Sequence, residues 1–279
     1  MKPKKNSIVG DSYAKFRSRI WRHYRAHQRT FPWRETHDPY RIMVSEIMLQ
    51  QTQTERVVSF YRDFLKAFPT VRKLASASLR EVLIQWQGLG YNRRGRFLHE
   101  AARTIVSDYG GRIPSHVELL EALPGIGSYT ARAISVFAFR NPQVLIETNI
   151  RTVYLHHFFK NVSNKVHDRE ILELIAATVS KRNPRDWYYA LMDYGSFLKR
   201  EHKIGNQLSA HYSRQSPFKG SRRELRGIVI KVLTENATST SSEIQRKSGR
   251  TKAEVDLVID HLEKERIVKR KASGRLALA

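Results

Sequence analysis

Tyr13, Phe16, Ile20 and Tyr24 recur at intervals that place them on one face of an α-helix, and similar patterns continue through much of the first 200 residues. No alternating pattern of strands competes with them. Short stretches rich in turn residues separate the helical runs: "FPT" near 69, "GLG" at 88 to 90, "YGGRIP" at 109 to 114 and "LPGIG" at 123 to 127. The pattern predicts an all-α domain over residues 10–205, preceded by a basic disordered tail over 1–9. From about Asn206 to Arg223 the chain is polar, basic and poor in aliphatic residues, which predicts a linker or an ordered basic loop.

A small unit is predicted over 224–279. Leu225, Ile228, Ile230, Val232 and Leu233 suggest a first helix, "SSEIQRKSG" a second ending at Gly249, and Thr251 with Glu254 a capping box opening a third. "RIVKRKASGRLALA" then reads as two strands around a turn at Ser273 and Gly274. Three helices and a hairpin describe a winged helix. Its third helix carries Glu254, Asp256, Asp260 and Glu263, so the basic wing with Lys269, Arg270, Lys271 and Arg275 is the better candidate for phosphate contact. DNA binding by this unit and a packing or partner role both stay open.

Charge narrows the function. Lys and Arg number 50 against 26 acids, a formal net charge of +24, and a polyanion such as nucleic acid is the simplest partner for that excess. No apolar run is long enough to span a membrane and "MKPKKNS" lacks the apolar segment of a signal peptide, so an intracellular, cytoplasmic, nucleoid-associated protein is expected if the source is prokaryotic. The chain has no cysteine, which removes disulfides, thiolate chemistry and cysteine-ligated clusters.

In "EALPGIGSYTARAISVFA" two helical patterns flank Leu123-Pro124-Gly125-Ile126-Gly127. Glycines let the backbone turn sharply and approach a ligand closely, and the next helix offers free N–H groups at its start. This is a helix-hairpin-helix, suited to holding a DNA phosphate through Gly125, Ile126, Gly127 and Ser128 without reading sequence. The other reading is an ordinary turn between helices with a glycine cap.

With that turn, "FPWRETHDPYRIMVSEIMLQQTQTERV" (31 to 57), "FPTVRKLASASLREVLIQWQGLGYNRRGRFLHEAA" (68 to 102), "GGRIPSHVELLEALPGIGSYTARAI" (110 to 134) and "YYALMDYGS" (188 to 196) closely resemble the A/G-specific adenine DNA glycosylases of the helix-hairpin-helix superfamily. The resemblance covers roughly residues 10 to 200. It implies an enzyme that flips a nucleotide out of the duplex and cuts its N-glycosidic bond, which is inaccessible inside the stack. Cleavage passes through a sugar with oxocarbenium character, helped by a proton donor at the base and negative charge at the sugar.

By resemblance Glu46 in "SEIMLQQTQ" is the acid that protonates the departing base, although Glu46, Gln50 and Gln53 also read as a polar stripe on a solvated helix face. Gln50 and Gln51 match residues that probe the lesion site, and Tyr91 an aromatic that wedges into the stack; Arg93 beside it is expected to bind DNA. Tyr129 stands where lyase-active relatives carry a Lys nucleophile, and a phenol cannot form that Schiff base. The resemblance therefore implies a monofunctional enzyme.

"VLIETNIRTV" carries Glu147 where the family has Asp and Thr148 where it has Gly, while Asn149 agrees. Glu147 is expected to face the sugar, with the pocket rebuilt around the longer side chain; a helix N-terminal acid is the plainer reading, and both can hold together. After "ALMDYGSF" the family continues into a four-cysteine loop around an iron-sulfur cluster, whereas this chain has no such ligands, and Lys199, Arg200, Lys203 and Arg214 are expected to take over its DNA contacts. The C-terminal domain that senses oxidised guanine in the family is replaced by the winged helix.

The combined expectation is a monomeric, cofactor-free glycosylase of base excision repair with no bound metal, acting on double-stranded DNA with a lesion or mismatch. Adenine opposite damaged or mispaired guanine is the first substrate, mispaired uracil, thymine or hypoxanthine the second, and an alkylated or cross-linked base the third. A non-catalytic lesion-binding protein is the rival.

Overall fold

The computed structural model describes residues 11–160, 162–212 and 217–279. The expected tail over 1–9 and Arg214 lie outside them. In chain order the helices are α1 (Asp11–His27), α2 (Pro39–Leu49), α3 (Thr54–Ala67), α4 (Val71–Ser76), α5 (Leu79–Gln85), α6 (Arg93–Tyr109) and α7 (Val117–Glu121). There follow α8 (Ser128–Phe139), α9 (Thr148–Phe158), α10 (Asp168–Thr178), α11 (Pro184–Glu201), α12 (Arg222–Glu235), α13 (Ser241–Ser248) and α14 (Lys252–Lys264). Strands β1 (Val268–Arg270) and β2 (Leu276–Leu278) close the chain. The protein is mostly helical with a small C-terminal β-hairpin, as the apolar spacing predicts.

The chain forms two compact units. One joins the described residues up to His37 with the stretch from Ser128 through the loop after α11; the other joins Asp38–Gly127 with the C-terminal segment to Ala279.

In the first unit α1, α8, α9, α10 and α11 bury Phe16, Ile20, Tyr154 and Trp187. Helices α9 and α11 approach backbone to backbone because Gly195 lacks a side chain: a Cβ there would overlap the Asn149 carbonyl. A polar clamp ties the chain before α2 to α11. Asp193, 2 % exposed, accepts from Arg29 Nε at 2.7 Å and from Arg34 Nη1 and Nη2 at 2.8 and 2.9 Å. Arg185 is equally buried and donates to the carbonyls of Phe137, Arg34 and Thr36. Each charge taken out of water is thus fully engaged, without which its burial would cost several kcal/mol.

In the second unit several helices start on a side-chain cap. Asp38 caps α2 through Tyr40 N and Arg41 N with Pro39 at the first helical position, and Ser78 with Glu81 makes a capping box for α5. Thr240 with Glu243 and Thr251 with Glu254 do the same for α13 and α14, and Gly249 at φ +65° ends α13 in the left-handed conformation. The hairpin pairs Val268 with Leu278, Lys269 with Ala277 and Arg270 with Leu276, and a bridge from Ser239 to Leu276 adds a one-residue third strand. This is the winged-helix order.

The C-terminal segment does not form a compact unit of its own. Its core of Leu225, Val229, Leu233, Ile244, Val255, Ile259, Leu262 and Leu276 also takes in Leu83 of α5. Arg80 donates to the Thr234 carbonyl at 2.8 Å, sealing the edge of that contact.

Candidate functional site

Glu147 precedes α9 as its N-cap. Its Oε1 accepts from Asn149 N and Ile150 N, both at 2.8 Å, and its Oε2 accepts from the Asn149 side-chain amide at 3.3 Å. The expected helix N-terminal acid is therefore present. Although part of its surface reaches solvent, most of the carboxyl is enclosed by protein, and that desolvation pushes it above the ordinary carboxylate range. The two N–H donors, Lys199 and Arg151 pull the other way.

The approach to Glu147 is held from α11. Tyr188 Oη donates to the Gln143 carbonyl at 2.6 Å and accepts from Leu145 N at 3.3 Å. Lys199 Nζ donates to Asn149 Oδ1 at 2.9 Å, and burial lowers its own pKa. Asn206 lies buried beside α9, donating to the Thr148 carbonyl at 3.0 Å and accepting from Thr152 Oγ1 at 2.9 Å. Part of the expected linker is thus built into the unit: Val166 pairs with Ser209, and backbone bonds join Val166 to Leu208 and Ala210. Arg200, in the last turn of α11, and Lys203, just beyond it, are exposed.

This region supplies no cysteine for an iron-sulfur cluster, and hydroxyl, amide and ammonium groups are not its ligands, so the chain does not fit that group. Among the described residues no cluster of three or more His, Asp or Glu side chains is placed to hold a metal ion.

In the second unit Glu46 lies on α2 within a nearly continuous buried stretch and is 7 % exposed. It is not part of a solvated stripe. Helix α2 ends at Leu49, so Gln50 and Gln51 occupy the following turn and Gln53 caps α3. Gln51 takes φ +56° and Tyr91 φ +48°, two side-chain-bearing residues in a conformation that favours glycine.

Arg94 holds both turns. Its guanidinium donates to the carbonyls of Ile47, Met48 and Gln50 at the end of α2, to Thr52 Oγ1 at 3.1 Å, and to the Gly90 carbonyl at 3.1 Å. Burial lowers its pKa to about 10, so it stays charged at neutral pH. The residue hides in the basic run "RRGR", yet a signal was available: Arg94, Leu98, Ala101 and Ile105 share the buried face of α6. Arg93 next to it is exposed and lies over the Phe97 ring. From the C-terminal segment Arg223 Nη1 donates to Tyr91 Oη at 2.8 Å, a contact no local sequence pattern announces.

The helix-hairpin-helix turn follows α7. Gly125 takes φ +75°, and a Cβ there would lie 2.5 Å from Phe97 Cβ, so both conformation and packing require glycine. Ile126 is buried, Gly127 and Ser128 are exposed, and Tyr129 is partly exposed in the first turn of α8. In the wing Lys269, Arg270 and Lys271 are exposed, whereas Arg275 bonds Thr238 Oγ1 and Glu243. Arg270 lies 3.4 Å from Glu263.

A family profile described as HhH-GPD superfamily base excision DNA repair protein matches residues 44–180. The adenine DNA glycosylase of Mycobacterium tuberculosis strain H37Rv is 32 % identical over 275 residues, spanning 91 % of this chain and 90 % of that one. A thermostable thymine-DNA glycosylase superposes with a TM-score of 0.63 at 27 % identity, over 71 % of this chain and 92 % of that one. An endonuclease III trapped as a covalent intermediate with DNA shares the fold, with a TM-score of 0.57 at 17 % identity over 75 % of this chain and 90 % of that one. A buried carboxyl on α2, a carboxylate capping α9 and a glycine turn before α8 thus stand in a chain that belongs to the HhH-GPD superfamily of base excision DNA repair proteins, as a DNA glycosylase homologous to the adenine DNA glycosylases.

Proposed function

We propose that this glycosylase releases a mispaired or damaged base by hydrolysis alone, with adenine opposite damaged or mispaired guanine as its first substrate. Glu46 gives its proton to the base as the N-glycosidic electron pair leaves with it. Water then adds to C1′ and returns a proton to the carboxylate. Glu147, with Asn149 and Tyr129 as supporting groups, faces the sugar and offsets its positive charge. Tyr91 with Gln51 opens the duplex and Gln50 probes the lesion site, while Arg93, Gly125, Ile126, Gly127 and Ser128 bind the DNA. Lys199, Arg200, Arg214, Lys269 and Arg270 add positive potential along double-stranded DNA.

The reading takes the protein as a monomer without a cofactor, nucleoid-associated in a prokaryotic cell, with residues 10–205 as the glycosylase domain and 224–279 as the appended winged helix. Among the described residues no helix is long and apolar enough to cross a membrane.

The observation that carries the chemistry is the burial of Glu46, which sets this carboxyl inside the protein on α2 instead of on a solvated helix face. Adenine stands first because the likeness to the mycobacterial adenine glycosylase covers 91 % of the chain and so continues into the C-terminal segment. Mispaired uracil, thymine or hypoxanthine comes next, in line with the likeness to a thymine-DNA glycosylase. An alkylated or cross-linked base is third.

The test is base release from labelled duplexes carrying each candidate base opposite each partner, followed by hot alkali. A strand cut only after alkali identifies both the substrate and a monofunctional enzyme, and E46Q and E147Q must each abolish the signal. A strand cut without alkali, with protein trapped on it by borohydride, would refute the monofunctional reading. One observation favours a lesion-binding protein instead: both Glu147 oxygens are engaged at the start of α9. That reading requires tight binding to a stable abasic duplex with no base released from any substrate.

A further inference from the structure

The first unit holds a cavity of about 530 Å³, and none of the residues assigned above to base release lines it. Arg17 and Trp21, one turn apart on α1, form one side, while Ser180, Lys181 and Arg182 of the loop between α10 and α11 form another. Trp187, fully buried in the first turn of α11, also belongs to the lining.

Three cations and no acid line this space. Arg17 donates through Nε to the Thr178 carbonyl at 3.1 Å and through Nη2 to the Ala177 carbonyl at 2.9 Å, which fixes the guanidinium and leaves Nη1 over. Lys181 and Arg182 are exposed and form no ion pair among the described residues. Ser180 Oγ accepts from Asn183 N at 3.1 Å, so its own proton is left to donate. The Trp187 indole N–H is buried with no acceptor. Trp21 is half-buried, its ring 5.6 Å from that of Trp187 at 50°, and it gives the cavity an aromatic face.

Unbalanced positive charge with unused donors suits phosphate oxygens, and an indole face suits a planar ring. A nucleoside phosphate joins both in one molecule, of the scale that cavities of about 300–1,000 Å³ admit. A bare phosphate would leave the Trp21 face unused, and a duplex is too wide to enter. We propose that the cavity binds a free nucleoside phosphate, with its phosphate held by Lys181, Arg182 and Ser180 and its base against Trp21. Arg17 completes the positive wall from α1. The proposal does not depend on the glycosylase reading, because the site shares no residue with it.

The experiment titrates the full chain with AMP, inorganic phosphate, adenosine and a 5′-phosphorylated single-stranded oligonucleotide. Heteronuclear NMR follows the indole N–H signals of the four tryptophans, each assigned by its substitution with phenylalanine. AMP is expected to saturate and to shift Trp21 and Trp187 while Trp33 and Trp86 stay in place. Adenosine and inorganic phosphate should each bind more weakly than AMP by about 10-fold or more. K181A/R182A, made at exposed positions, should weaken AMP binding by about 10-fold or more, and W21A by about 10-fold. Should W21A fail to fold, W21L, which keeps an apolar side chain on the Trp187 ring without a stacking plane, carries the same expectation. R62A/K66A removes two exposed charges from α3 and should leave AMP binding unchanged, which separates a site from general attraction to a basic protein.

Native AMP binding in folded K181A/R182A would overturn the proposal, as would shifts confined to Trp33 and Trp86. Equal affinity for AMP and inorganic phosphate, or for AMP and adenosine, would do the same. Tighter binding of the oligonucleotide at the Trp21 and Trp187 signals would overturn the free nucleotide as occupant in favour of a strand end. No base is released in any of these titrations, so their outcome is separate from the glycosylase assay.

Discussion

Lys199 Nζ donates to Asn149 Oδ1 at 2.9 Å, while the Asn149 amide donates to Glu147 Oε2 at 3.3 Å. A cation expected to face DNA thus reaches into the network around the acid before α9. Asn149 is oriented by it: with its oxygen turned to the ammonium, the nitrogen must face the carboxylate.

That chain of contacts sets a pH dependence. Burial raises the Glu147 carboxyl and Lys199 opposes the rise. Removing the ammonium in K199M should raise the carboxyl further, so that a higher pH is needed to ionise it. The acid limb of single-turnover base release is expected to move to higher pH, with K199R restoring most of the native profile. An unmoved limb in K199M, with DNA affinity reduced and its salt slope shallower, would instead assign Lys199 to phosphate contact.

Gly195 is expected to accept no side chain. In G195A the new methyl would overlap the Asn149 carbonyl, pushing α9 and α11 apart at the residue that positions Glu147. Overpacking of this kind costs about 1–3 kcal/mol. Thermal unfolding should show the loss of stability, and base release should fall further than the unfolded fraction explains.

Asp193 should make the first unit sensitive to acid. Burial acts to raise its carboxyl, but the bonds from Arg34 and Arg29 outweigh that and hold it below the ordinary value of 3.8. A depressed carboxyl stabilises fully above its unfolded pKa and loses that contribution as pH falls through the folded one. Stability should therefore hold through neutral and mildly acidic pH and drop below about pH 4. D193A, which leaves two arginines without their anion, should lose on the order of 3 kcal/mol at neutral pH in denaturant titrations and show a weaker acid dependence.

Arg94 should prove more important to lesion recognition than its place in a basic run suggests. In R94M the carbonyls of Ile47, Met48 and Gly90 lose their shared donor, and the two turns carrying Gln51 and Tyr91 are free to relax from positive φ. Binding to an abasic duplex should weaken by more than 10-fold, while binding to undamaged duplex changes little. Equal losses on both would make Arg94 an ordinary contributor to net charge.

The residues matched by their motifs were legible because each is tied to a local feature. Glu46 sits in a distinctive run, Gly125 in a turn that demands glycine, and Glu147 just before a helix. Local chemistry also set the element boundaries in the C-terminal segment: capping boxes at Thr240 and Thr251, a left-handed glycine at 249, and Gly274 at positive φ in the hairpin turn. Such features act over a few residues, so they can be read without knowing the fold.

What tertiary structure alone decided is which charged side chains are buried and which segment shares a core with which. Arg94 and Lys199 look like their exposed neighbours in sequence, and apart from Gly90 their hydrogen-bond partners lie 42 to 50 positions away along the chain. The bond from Arg223 to Tyr91 spans 132 positions, and Leu83 enters a core otherwise built beyond residue 224. Local propensity carries no information about such pairings, because they form only when apolar faces distant in sequence leave water together and fix the positions of the polar groups around them.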